Sequence, residues 1–179
     1  MTDEPRHAAS PPLTVTPTFE SVFVAEYPSM VALAAAVSGR PSDAEDIAAE
    51  AMQRLQLNWS KVHDYERPGA WVRRVTINLA LSRRRRLAAE ARALVRVGRL
   101  GDADLPPSAA EHAPVWAAVA KLPGKQRAAV ALHYLEDRPI GEIADVLGCS
   151  PSTARVHLHR GRTALRDRLQ SMDPKEARR

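Results

Sequence analysis

Apolar positions recur at three- and four-residue spacing along most of the chain, and no segment alternates as a half-buried strand does. Phe19, Val22, Phe23, Tyr27, Met30, Val31, Ala34 and Val37 form the first stripe. It predicts a helix from about Thr18 to a stop at Ser38-Gly39-Arg40-Pro41. Ser42-Asp43-Ala44-Glu45 has the S-x-x-E pattern of a capping box, and the helix after it carries Ile47, Ala48, Ala51, Met52 and Leu55 on one side. Trp59 to Pro68 reads as a polar loop. A third helix is predicted from about Gly69 to Arg86, with Trp71, Val72, Val75 and Leu79 as its stripe. Asn78 falls on the edge of that stripe, where a polar residue needs a partner or a function.

The periodicity weakens from Leu87 to Pro107, where Gly98, Gly101, Asp102, Asp104, Pro106 and Pro107 suggest a linker. Ser108-Ala109-Ala110-Glu111 offers a second capping pattern. Val115, Trp116, Val119 and Leu122 then predict a short amphipathic helix ended by Pro123-Gly124. A helix over Lys125 to Leu135, a turn at Glu136-Asp137-Arg138-Pro139 and a short helix with Ile143, Ala144, Val146 and Leu147 follow. Gly148 is placed to cap that helix, and Ser150 with Pro151 to open the last one. The expected organisation is all-α: a disordered tail (1–17), a helical domain (18–86), a flexible linker (87–107), a second helical domain (108–171) and a tail (172–179).

The short helix, the Gly-Cys-Ser turn and the longer basic helix make a helix-turn-helix. At about 100° per residue, Ala154, Leu158, Gly161 and Leu165 cluster on one face of the last helix. Arg155, His159, Arg162 and Arg166 form a second stripe roughly 100° away. A major-groove helix needs this two-faced arrangement. Its first turns reach base edges, which assigns reading to Ser152, Arg155, Val156 and His159. Phosphate contacts fall to Thr153, Arg160, Arg162 and Arg166.

Charge sharpens the picture. The net charge is +5, and the excess is concentrated. Arg73 to Leu100 holds nine arginines and one acid, and Ser150 to Leu169 holds five arginines and one acid. Pro41 to Gln53 holds four acids (Asp43, Glu45, Asp46, Glu50) and no base. Two basic stretches and one acidic patch suggest two nucleic-acid contacts and a separate protein contact.

Other chemistries find little support. Aromatics are only 4%, which leans away from β-sandwich or barrel. The single cysteine, Cys149, excludes a disulfide framework and a multi-cysteine zinc site. His157 and His159 lie on different sides of one helix and cannot share a metal. His63 and His133 have no acid or cysteine at ligand spacing. No Walker loop, G-x-S-x-G or H-E-x-x-H occurs. No metal, no cofactor and no catalytic residue is expected, and a nuclease would lack its carboxylate or metal cluster. No run of roughly 18 uninterrupted apolar residues suggests membrane insertion. The N-terminus has no apolar signal core, so a cytoplasmic, reducing compartment is expected.

These motifs resemble the bacterial RNA polymerase sigma factors, sigma-70 family, in their compact extracytoplasmic-function (ECF) class. The resemblance covers about Phe19 to Leu169. It rests on Asp43-Ala44-Glu45-Asp46-Ile47-Ala48-Ala49-Glu50-Ala51-Met52, similar to an A-E-D-x-x-Q-E-A-F signature, and on Pro68 to Ala80 with its Trp-Val-Arg-Arg-Val core. It rests further on Leu122-Pro123 with Gln126-Arg127, on Ile143 to Ser150, and on Thr153 to Arg162. The Trp-Val-Arg-Arg-Val and four-arginine segment is close to an actinobacterial SigE-like subgroup.

The resemblance implies a sigma2-like domain and a sigma4-like helix-turn-helix domain that together select promoters and promote transcription initiation. The acidic helix would dock on the β′ clamp helices of core RNA polymerase through Asp46, Glu50 and Gln53, with Met52 and Leu55 packing nearby. The −10 element would meet Lys61, His63, Asp64, Trp71 and Asn78 around a captured base. Arg73, Arg74, Arg83 and Arg84 would hold strand backbone. The second domain would read the −35 element and rest on the β flap, and an anti-sigma factor would hold the protein inactive. Three departures stand out. Ala49 replaces the usual Gln and Met52 the usual Phe. Val156-His157 replaces the Ser-Arg of many relatives, so the promoter sequence should differ from theirs. A free-standing helix-turn-helix repressor or activator is the competing reading. It predicts tight duplex binding alone and palindromic half-sites.

Overall fold

The computed structural model describes residues 17–96 and 114–172, and all regular structure among them is helical. The first helix, α1 (Phe19–Ser38), begins where its apolar stripe begins. Thr18 and Ser21 cap each other reciprocally, with Thr18 Oγ1 accepting from the Ser21 N–H at 3.2 Å and Ser21 Oγ from the Thr18 N–H at 3.1 Å. The expected capping box at Ser42 does not form. Pro41–Asp43 makes a single 3-10 turn instead, and α2 (Ala44–Leu57) starts without a side-chain cap. The Asp43 carboxylate is taken by Arg40 at 3.2 Å and Arg83 at 3.4 Å.

The polar loop expected after α2 contains one helical turn, α3 (Trp59–Val62). Tertiary contacts hold it: Val62 is buried, and Trp59 meets Phe19 edge-on at 5.9 Å. The next helix, α4 (Pro68–Arg96), continues well past the predicted end at Arg86, so the first part of the expected linker is helix. Residues 87–96 are rich in Leu, Ala, Glu and Arg, good helix formers with no constraint to bury one face. Most of that stretch is exposed, which is why it has no stripe to read.

The second half comprises α5 (Pro114–Ala120), α6 (Gly124–Leu135), α7 (Ile140–Leu147) and α8 (Pro151–Met172). In α5 the buried side is Ala118, Val119 and Ala120, whereas Val115 and Trp116 stay exposed, contrary to the predicted stripe. Small alanines face inward because α5 is squeezed between α8 and α1. Gly148 closes α7 at φ +62°, a left-handed conformation that favours glycine. Ser150 Oγ then accepts from the Thr153 N–H at 3.2 Å, so the predicted cap of α8 is present. The second capping pattern, Ser108 to Glu111, and most of the tails and linker lie outside the described residues.

The two halves touch. α1 packs on α2 and α4 within the first half and also on α5 and α6 of the second, and α4 packs on α7. By length and composition α1 is apolar enough to cross a membrane. Its packing against α2, α4 and α6 accounts for that apolarity as a central core helix.

Candidate nucleic-acid and protein interfaces

The inner face of α8 fixes its outer one. Ala154 and Leu158 are buried and Leu165 packs on the core. A Cβ on Gly161 would lie 2.7 Å from Val130 Cγ2 and 3.2 Å from the Gln126 carbonyl oxygen, so α6 and α8 meet too closely for any side chain there. With that face committed, Ser152, Thr153, Arg155, Val156, His159, Arg160, Arg162 and Arg166 are all exposed. Ser150 Oγ lies 2.8 Å from Ser152 Oγ and 2.9 Å from Thr153 Oγ1, so the hydroxyls at the helix start are tied to the cap. His157 turns inward. Partial burial, then the charges of Lys125 and Arg160, push it below the usual histidine range.

On α2, Asp46, Glu50 and Gln53 are exposed, and Arg54 reaches Glu50 at 2.6 Å. Two residues expected at this contact are elsewhere. Met52 is 1% exposed and Leu55 0%. Both face the core, because the apolar stripe that makes α2 amphipathic is spent on α1 and α4. They hold the acidic face in place and do not belong to it. Asp43 also leaves the patch, being buried between Arg40 and Arg83.

The residues expected at the −10 contact divide into two groups. Lys61 and Asp64 are exposed, and the half-buried His63 ring lies between the Trp59 carbonyl (2.9 Å from Nδ1) and Asp64 Oδ1 (3.0 Å from Nε2). Trp71 lines a small cavity of about 200 Å³ with Tyr65, Arg67 and Arg74, closed on the far side by Asp145 of α7. Asn78 and Arg84 instead face a second cleft, beside the start of α6.

Arg73 is not free to hold a nucleic-acid strand here. It is 5% exposed and bridges Glu26 of α1 (2.5 Å) and Glu136 of the turn after α6. Burial alone would lower its pKa, but the hydrogen bond it donates to Glu136 and the two carboxylate charges hold it above its ordinary value. Arg74 donates to the Asp145 carbonyl, and Arg83 is engaged by Asp43. Sequence reasoning missed the acids of this clasp. Glu26 carried a signal, a carboxylate between Phe23 and Tyr27 in the middle of a mainly apolar helix whose other acid, Glu20, lies in the first turn. Glu136 carried none, since turns are ordinarily charged.

The comparisons agree with this arrangement. A family model described as Sigma-70 region 2 matches residues 22–90, and one described as Sigma-70, region 4 matches residues 112–165. The RNA polymerase sigma-E factor of Streptomyces antibioticus is 33% identical over 138 residues, 74% of each chain. The ECF RNA polymerase sigma factor SigE of Mycolicibacterium smegmatis is 37% identical over 147 residues, 76% of this chain and 56% of the relative. The sigma factor RpoE from Bartonella quintana, solved in complex with the anti-sigma factor NepR, shares the fold. Its TM-score is 0.67 at 17% identity, covering 85% of this chain and 96% of that one. Two helical halves in this order, a helix-turn-helix with a free basic face, and relatives matched over most of their length place the chain in the sigma-70 family of RNA polymerase sigma factors, among its ECF members.

Proposed function

We propose that this ECF sigma factor divides its work among three surfaces. The exposed acids Asp46 and Glu50, with Gln53, form the contact with the β′ clamp helices of core polymerase. The outer face of α8 reads the −35 element, with Ser152, Arg155, Val156 and His159 over base edges and Thr153, Arg160, Arg162 and Arg166 on phosphates. The region of Lys61, His63, Asp64, Trp71 and Asn78 receives the −10 element. The chain itself performs no bond chemistry, works in the cytoplasm and leaves polymerisation to the core enzyme.

The observation that carries this reading is the two-faced α8, buried through Ala154, Leu158 and Gly161 and exposing a continuous basic stripe. The β flap contact falls to the apolar groove of about 630 Å³ beside it, where Val115, Trp116, Tyr134 and Leu135 are exposed. Arg73 and Arg74 are engaged between the halves, so promoter binding through them requires the halves to separate. An anti-sigma factor that favours the closed arrangement would therefore silence the protein. Transcription in vitro with bacterial core polymerase, on genomic fragments that include the upstream region of its own gene, tests the reading. Discrete starts that need this chain are expected. Duplex binding to a palindrome by the chain alone, with no association with core, would move the assignment to a free-standing repressor.

A further inference from the structure

We infer that the cleft between α4 and α6 binds a small polyphosphate anion, pyrophosphate or the phosphate chain of a nucleotide. The cleft has a volume of about 680 Å³. Arg84 and Arg85 line one wall, with Arg85 donating to Ser82 Oγ at 3.1 Å; the buried Arg127 and Lys125, whose ammonium donates to the Leu147 carbonyl at 2.8 Å, line the other, and Asn78 adds a polar group. No carboxylate lines it.

Its cations are unusual within this molecule. The buried Arg73 has Glu26 and Glu136, and Arg83 has Asp43. Arg127 is only 2% exposed and has no carboxylate among the described residues. Its Nη1 donates to the Ala120 carbonyl at 3.1 Å, while its buried Nε has no partner among the described residues. Arg84 is half-buried and makes no ion pair among the described residues. The two guanidiniums flank Gly39, where a Cβ would lie 3.1 Å from Arg84 Nη1 and 3.7 Å from Arg127 Nη1. Burial and then the Arg84 charge push Arg127 down to about 10, and burial lowers Arg84 as well. The carbonyl ends of α1 and α5 offset part of this repulsion, but a helix end supplies only about half a charge. An unpaired buried charge is costly, and a bound anion would relieve it.

The site also has donors of the right kind. The first turn of α6 has no side-chain cap, so its leading N–H groups lack partners within the helix. Guanidiniums suit phosphate oxygens through paired N–H donors. Arg84 and Arg85, backed by the buried Arg127, call for more than one negative charge, and the volume suits a nucleotide-sized ligand rather than a duplex. Because α4 and α6 belong to different halves, the anion would favour the closed arrangement and oppose the opening that frees Arg73 and Arg74.

Calorimetric titration of the full chain with pyrophosphate, and separately with ATP, at physiological salt tests the site. One-site binding is expected, weakened about tenfold or more by Arg84→Gln or Arg85→Gln, whose folding is checked by circular dichroism. The double variant Arg92→Gln, Arg96→Gln, at exposed positions outside the cleft, should bind as the unaltered chain does. Equal binding of pyrophosphate and ATP, or tighter binding of ATP with pyrophosphate still bound, supports the phosphate chain as the recognised element. ATP binding with none of pyrophosphate overturns it. Absence of binding at millimolar concentration overturns the site, as does an equal loss in the Arg92, Arg96 variant, which would mark general counter-ion association.

Discussion

Arg73 of α4 donates its Nε–H to Glu136 in the turn after α6, and this ion pair joins the two halves of the molecule. It is the centre of a chain of charges. Arg73 also holds Glu26 at 2.5 Å, Arg138 lies 3.5 Å from Glu136, and Glu142 accepts from both Arg138 (3.4 Å) and Arg67 (3.2 Å). Gly69 is part of the same construction. A Cβ there would strike the Glu26 carboxylate and come within 2.5 Å of Arg73 Nη1. The clasp therefore takes basic residues of the sigma2-like half and sets them against acids of the sigma4-like half. This clasp lies beside an apolar contact, in which α1 packs on α5 and α6, so opening the halves must both re-solvate these charges and expose apolar surface.

Glu136→Gln keeps the shape of the clasp and removes its central charge. It should weaken the contact between the halves by about 1.5–3 kcal/mol, the worth of a hydrogen bond to a charged group. Small-angle scattering should then show a larger radius with an unchanged helical signal, and single-stranded −10 DNA should bind more tightly. A lower melting temperature at unchanged radius would make the pair a stability element only.

Gly161→Ala should destabilise the second half by about 1–3 kcal/mol, the usual cost of overpacking, because the new Cβ meets Val130 at 2.7 Å and the Gln126 carbonyl at 3.2 Å. Urea unfolding measures it. Promoter binding should fall with it, since the shift tilts the outer face of α8.

Arg155→Ala should lose about 1–3 kcal/mol at one position of the −35 element and little elsewhere, whereas Arg166→Ala should weaken all sequences alike. Affinities across single-base variants of the element separate the two. A uniform loss for Arg155→Ala would move that side chain to the phosphates.

Asp46→Lys with Glu50→Lys should abolish co-purification with core polymerase and leave thermal stability nearly unchanged, as both side chains are exposed. Met52→Ala should do the reverse. It should cost about 2–5 kcal/mol of stability as a cavity substitution while the folded fraction still binds core.

His157 has a depressed pKa when folded, so between that value and its unfolded value of about 6.5 the unfolded chain binds the extra proton. Its contribution is therefore full above the unfolded pKa and is lost as pH falls below it. Stability measured by denaturant titration should drop on acidification from pH 7 to 5.5, and His157→Gln should flatten that slope.

How far the chain could be read depended on where each signal lay. Apolar spacing located α1, α2, α7 and α8, and Gly148 with Ser150 marked the turn because few residues serve there. The end of α4 was missed because residues 87–96 are helical without burying a stripe. The turn of α3 was missed because it depends on Trp59 meeting Phe19, forty residues away. Met52 and Leu55 were assigned to a partner through a family signature, although their spacing with Ile47, Ala48 and Ala51 already placed them on the core side.

The sequence by itself determined the all-helical class, the helix-turn-helix and the separation of acidic from basic faces. Each of these follows from local periodicity, capping chemistry or charge counted along one helix. Only the tertiary structure decided which charges are available. Arg73 and Arg84 belong to the same helix and read alike in sequence, yet one is paired with Glu26 and Glu136 and the other lies beside Arg127 with no counter-ion among the described residues. The reason is physical: a charge's state depends on what faces it across space, and here the facing residues come from distant positions, Glu26 on α1 and Glu136 and Arg127 in the other half of the chain.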